Sequence, residues 1–144
     1  MTAKDELFRA EDQAWTELHE LVHAVDAAAA GGAYSDDWTV KDLLAHIACW
    51  QAEAASILCQ IREGTFAGWE EDDDTVNTRF LEATRDLVLD DVLVQLHAAR
   101  TRMLEELDVL PEDKLAGDAA DWFRGSAQEH YRDHVSGLRE ALGR

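Results

Sequence analysis

Proline is nearly absent from this chain of 144 residues: only Pro111 occurs, and glycine is confined to 8 positions. Few helix breakers, together with abundant Ala, Leu, Glu and Gln, favour helix along most of the length. No stretch alternates apolar and polar residues with β-branched enrichment, so the expected fold class is all-α. No run of 18 apolar residues exists, and the first residues, "MTAKDELFRAEDQ", are charged where a secretory signal needs an apolar core. A cytoplasmic protein without membrane association is therefore expected. Cysteine is scarce too. Cys49 and Cys59 lie ten residues apart on one predicted helix, roughly 15 Å along its axis, too far to form a disulfide. Two free thiols fit a reducing compartment. Positive charge is the last shortage. Thirteen Lys and Arg face thirty-one Asp and Glu, for a formal charge of −18. Such a surface repels polyphosphate, and the expectation is no nucleic-acid partner and no membrane partner.

The helices that remain can be placed by apolar periodicity. The first runs from about Lys4 to Ala30, with Leu7, Ala14, Trp15, Leu18, Leu21, Val22 and Val25 on one side. "GGAYSDD" interrupts it. The second opens at "WTVKD", where Thr39 and Asp42 have capping-box spacing and Trp38 is placed for a hydrophobic staple, and it continues to about Arg62. "EGTFAGWEEDDD" is long enough to cross the end of a bundle and cover a site. Its acidic run, Glu70 to Asp74, lacks the ligand spacing and glycine of a calcium loop and suits a helix N-terminus instead. The third helix starts near Thr75 with a break expected at "RDLVLDD", where Asp90 is the expected cap of a second segment carrying Leu93, Leu96, Met103, Leu104 and Leu107. Pro111 ends that segment, and a fourth helix follows from roughly Ala119 to Leu142. The architecture predicted is a four-helix bundle with a long crossover between helices 2 and 3, forming a single domain over residues 1–144.

Histidine carries the chemistry. His130 and His134, four apart, offer nitrogens to one point on a helix, but "ELHELVHAV" gives His19 and His23 the same spacing. Helical phase separates the pairs. His19 and His23 project about 90° and 130° from the apolar stripe and read as solvated, whereas His130 and His134 adjoin the face of Phe123, Ala127 and Leu138. His97 falls inside the third helix's stripe and reads as a hydrogen-bonded core residue. His46 lies about 60° from the stripe of Val40, Leu43, Ile47, Trp50, Ala54 and Ile61, at a border facing a cleft. Its helix can supply the third arm of a His46, His130 and His134 metal site, since imidazole sites in bundles are assembled from facing helices. Glu53, two turns on, is the weaker candidate for a catalytic base or a group that orients His46. Trp50 and Trp69 offer stacking surfaces beside it.

The blocks "WTVKDLLAHIACW", "NTRFLEATRDLVLDDVLVQL" and "AQEHYRDHVSGLREAL" resemble the DinB-like four-helix bundle family, most closely its ClbS/DfsB branch, over nearly the whole chain. The matching residues are Trp38, Thr39, Val40, Lys41, Asp42, Leu44, Ala45, His46, His130, Tyr131 and His134. The resemblance implies a homodimer and a divalent metal, zinc or nickel, on those three histidines. It further implies a transferase that activates a low-molecular-weight thiol, or a hydrolase, acting on a small electrophilic or toxic compound. Some members of the closest branch lack the C-terminal histidine pair and serve resistance to a reactive natural product; this chain keeps both. The alternatives are a metal-free protein that captures a hydrophobic compound, motivated by five tryptophans, and a dimeric scaffold without chemistry.

Overall fold

A computed structural model of the chain describes residues 1–144. The chain forms seven α-helical segments: α1 (Ala3–His23), α2 (Ala27–Ala30), α3 (Val40–Glu63), α4 (Asp73–Thr84), α5 (Leu89–Val109), α6 (Asp118–Ser126) and α7 (Gln128–Ala141), with a 3-10 turn at Glu112–Lys114 between α5 and α6. Four rods result, because α4 and α5 are two parts of one predicted helix, as are α6 and α7. α3 packs most extensively on α5 and also meets α6 and α4, while α1 lies along α7. The bundle is therefore the expected one, with the 64–72 connection crossing from α3 to α4.

Local chemistry explains several of the boundaries. Thr39 accepts from the Asp42 amide and Asp42 returns a bond to the Thr39 amide, the predicted box that starts α3. Gly64, at φ 77°, ends α3 in a left-handed turn that a side chain would strain. Asp72 caps α4 through the Thr75 amide, and Asp73 and Asp74 fill its first turn, so the acidic run belongs to a helix start. All three lysines of the chain close a helix C-terminus: Lys4 donates to the carbonyls of Asp108 and Leu110, Lys41 to those of Arg85 and Leu87, and Lys114 to that of Arg62. Each places a cation on orphaned carbonyls at the negative end of a helix dipole.

Four expectations need correction. α1 ends at His23, not Ala30, because Asp26 accepts from the Ala29 amide at 2.8 Å and starts a separate turn. The fourth helix is interrupted at Ala127 (φ −110°, ψ −109°), directly after the Gly125 and Ser126 pair, a composition that permits sharp kinks. Asp90 does not cap α5; Val88 stands at that position without a side-chain bond, and Asp90 lies in the first turn. His97 is exposed. The residues α5 buries are Val92, Leu96, Met103 and Leu107, a stripe whose centre lies about 110° from His97 at 100° per residue.

One apolar core runs through the bundle, from Leu7, Leu18 and Val22 on α1 to Leu43, Ile47 and Leu58 on α3, Leu96 and Met103 on α5, Phe123 on α6 and Tyr131 and Leu138 on α7. Glu11 is completely buried within it. Arg100 grips its carboxylate with two bonds, Nε to Oε2 at 2.8 Å and Nη2 to Oε1 at 2.6 Å, and the Tyr131 hydroxyl donates to Oε2 at 2.9 Å. Tyr131 in turn accepts from Gln51 at 2.8 Å. This network ties α1, α3, α5 and α7 together at the residue adjoining His130.

Candidate metal centre

Two parts of the chain bring the three histidines together. His46 faces inward from the second turn of α3 and is only 8 % exposed, while His130 and His134 descend one edge of α7. Nε2 of His46 lies 2.9 Å from Nε2 of His130, and Nε2 of His134 lies 3.1 Å from that same atom. His46, His130 and His134 form the cluster of His, Cys, Asp or Glu side chains able to hold a metal, their ligand atoms all within 4.8 Å.

The donor set fits a divalent ion. Nitrogens about 2.1 Å from one ion stand about 3.0 Å apart at right angles and about 3.4 Å apart at the tetrahedral angle, close to the two spacings observed. Hydrogen bonding alone does not account for them. An imidazole nitrogen is either a single donor or a single acceptor, so Nε2 of His130 satisfies one neighbour at most. The buried Nδ1 atoms of His46 and His130 also have no partner. Electrostatics point the same way: burial, reinforced by the neighbouring imidazoles, lowers His130 to about 2 and His46 to about 3, and burial lowers His134 as well. Three neutral rings at neutral pH present lone pairs, the form in which imidazole binds a metal.

The loop between α2 and α3 supplies support that the sequence did not reveal. The amides of Tyr34 and Ser35 both donate to the Trp38 carbonyl, and Ala33 pairs with Thr39, folding residues 33–39 into a tight arch. Tyr34 thereby reaches His134, with its hydroxyl 2.8 Å from Nδ1. In the tautomer that frees Nε2 as a ligand, Nδ1–H donates to that oxygen and fixes the ring. Gly137 makes room for it: a Cβ there would stand 2.9 Å from the Tyr34 hydroxyl. Trp38 packs on His46 with ring centroids 4.5 Å apart, covering the imidazole rather than serving only as a staple.

A cleft of about 450 Å³ opens beside the cluster, with His46 and His130 in its wall. Trp50 and Trp69, the two indoles singled out from sequence, both line it, joined by Trp122. Asn77 on α4 accepts the Trp50 indole N–H at 2.8 Å and fixes that ring. Glu53 is not in this wall. Its charged neighbours are Arg79 and Glu71, and burial raises its carboxyl pKa against the opposing pull of Arg79. Burial and then Glu53 push the Cys49 thiol up to about 11, away from the thiolate form. Of the two histidines expected to be solvated, His23 is exposed, whereas His19 is half-buried, stacked on Trp15 at 5.4 Å.

A helical bundle with three imidazoles converging beside an indole-lined cleft is the class of protein these features define. The chain belongs to the family described as mycothiol maleylpyruvate isomerase N-terminal domain, whose model matches residues 12–136, and it is a DinB-like helical protein. Comparison with curated protein sequences gives no match. Two solved structures share the fold. One is an uncharacterised protein from Escherichia coli UTI89, with a TM-score of 0.84 at 13 % identity over 97 % of this chain and 92 % of that one. The other is the colibactin self-resistance protein ClbS in complex with a dsDNA, with a TM-score of 0.81 at 13 % identity over 98 % and 96 % of the two chains.

The ClbS complex corrects the expectation that nucleic acid is excluded as a partner. Net charge is a sum over the whole surface, whereas duplex contact is made by one face and depends on local potential. A formal charge of −18 therefore does not decide the matter for this fold. No helix is long and apolar enough to cross a membrane.

Proposed function

We propose that the chain binds one divalent metal ion, zinc or nickel, through His46, His130 and His134, and uses it to transfer a low-molecular-weight thiol to a small electrophile in the adjoining cleft. The observation that carries this reading is the convergence of three imidazoles, with the Nε2 atoms of His46 and His134 at 2.9 and 3.1 Å from that of His130. Membership of a family named for a mycothiol-dependent isomerase supports a thiol as cosubstrate. A divalent ion there would supply Lewis acidity that favours the ionised form of a thiol or water.

The chain's own residues do the rest. Three protein donors leave positions open for a reactant, as a catalytic rather than a structural site requires. Tyr34 holds His134 in the ligating tautomer, and Trp38 shields His46 from solvent. In this reading the electrophile occupies the cleft that His130 lines. In the transfer, the thiol gives up its proton, sulfur bonds to the electrophilic carbon, and the bond from that carbon to its leaving atom breaks. The leaving atom keeps the electron pair and takes the proton. Water in place of the thiol gives hydrolysis with the same balance.

The indole-lined cleft also supports a second reading, capture of a hydrophobic compound without a metal. Loss of a small electrophile in the presence of mycothiol, followed by chromatography on zinc-loaded, nickel-loaded and chelator-treated protein, tests the first. Acceleration is expected only with metal, and a His130→Ala protein should lose it. Equal rates with loaded protein and with buffer, for both thiol and water as acceptors, would refute the catalytic proposal.

A further inference from the structure

The wall of the cleft is built from elements that no single motif connects, and its chemistry has one sign. Trp50 comes from α3, Trp69 from the crossover and Trp122 from α6. Their ring centroids lie 4.9 Å apart for Trp69 and Trp122, 6.2 Å for Trp50 and Trp69, and 6.3 Å for Trp50 and Trp122. All three are partly exposed, so they form a wall rather than core. Asp73, Asp118, Asp121 and Asp133 line the same space, and no lysine or arginine does. Only Asp121 has a basic partner, Arg124 at 3.5 Å; the other three carboxylates make no ion pair.

We infer that the ligand of this cleft is an organic cation, a compound with a protonated amine or quaternary nitrogen attached to an apolar body. Indole faces carry negative potential and attract a cation within about 6 Å of the ring, the principle of aromatic cages. The carboxylates repel an anionic ligand and offer a neutral one no more than a hydrogen bond. The volume, about 450 Å³, lies in the range of sites for drug-sized molecules, and His46 and His130 form one boundary. The surrounding charge of −18 would concentrate a cation near the cleft and repel an anion. The inference deepens the proposed function by naming the class of the electrophile, and it rests on that reading for the cleft being the substrate site.

Three probes of one shape separate charge from apolar contact: 4-phenylbutylamine, 4-phenylbutanol and 4-phenylbutyrate. Calorimetric titration of each into chelator-treated protein, where no metal ion can take the carboxylate, should give the amine at least about tenfold tighter binding than the alcohol, with the acid weakest; metal content is measured on the same preparation before chelation. The advantage should shrink as salt rises from 20 to 300 mM. Trp69→Ala, in the crossover, should weaken the amine about fivefold or more. Asp73→Asn with Asp118→Asn, which keeps residues suited to helix starts, should lower the amine-to-alcohol ratio severalfold while leaving alcohol affinity unchanged. Equal affinity for the three probes, no binding of the amine, or a ratio insensitive to both variants would overturn the inference. A cation preference in protein that never binds metal would leave this inference standing and remove the proposed function. Metal binding without charge preference would do the reverse.

Discussion

Lowering the pH from 7.5 to 5.5 should destabilise the metal-free protein, because burial makes its clustered imidazoles resist protonation while folded. The unfolded chain takes a proton on each near the ordinary pKa of 6.5, whereas folded His46 and His130 do so only at about 3 and about 2. Between those limits the unfolded state binds more protons, so stability falls as pH falls. Across these two pH units an unfolded imidazole gains RT ln 10, about 1.4 kcal/mol. His46 and His130 together therefore cost the fold about 3 kcal/mol, and His134 adds in the same direction. Relief of repulsion among the thirty-one carboxylates acts oppositely, but mostly below about pH 5. Urea unfolding of chelator-treated protein, followed by circular dichroism, measures the effect. With a slope of about 2 kcal/mol per molar, the midpoint should drop by about 1.5 M urea. A His46→Gln and His130→Gln protein should show most of that dependence removed. A midpoint unchanged between pH 7.5 and 5.5, or one that rises on acidification, would refute the burial argument.

Other consequences follow from the supporting residues. Glu11→Ala strips the carboxylate from Arg100 and Tyr131 and should cost about 3–5 kcal/mol in urea unfolding, the penalty for breaking a buried pair from one side. Glu11→Gln should recover part of it by keeping acceptor oxygen and shape. Tyr34→Phe removes the oxygen that fixes His134, and Gly137→Ala pushes Tyr34 away. Both should weaken zinc about 10- to 100-fold in competition with a chromogenic chelator, with little change in helix content; unchanged affinity in both would show that His134 needs no such partner.

Much of the bundle was legible because buried apolar residues recur at helical spacing. The cluster was legible for the same reason: phase placed His130 and His134 against the interior and His23 outside it, although His19, also expected outside, is half-buried against Trp15. Phase misplaces His97 because Leu93 and Leu104 lie on the flank of the stripe nearest to it. Both are only half-buried, and the true centre, at Val92, Leu96, Met103 and Leu107, turns His97 outward. The support of His134 was hidden because Tyr34 stands 100 residues away in a loop whose arch depends on backbone bonds. Its one local trace is Gly137, a glycine inside a helix, which signals close approach. Glu11 also left a trace, a carboxylate between Leu7 and Trp15 on the apolar side of α1, but nothing local names Arg100 and Tyr131 as its partners. The break at Ala127 follows Gly125 and Ser126, and the apolar period hides it in the sequence by continuing across them. The cleft needed folding itself, since its three indoles lie on three elements.

The central claim is that His46, His130 and His134 form one metal centre, and metal stoichiometry tests it most directly. Elemental analysis of untagged protein, dialysed after loading with zinc or nickel, should find one ion per chain, and His46→Ala, His130→Ala and His134→Ala should each retain almost none while keeping their helical content. Wild-type protein that retains no ion, or a His130→Ala protein that retains as much as wild type, would contradict it.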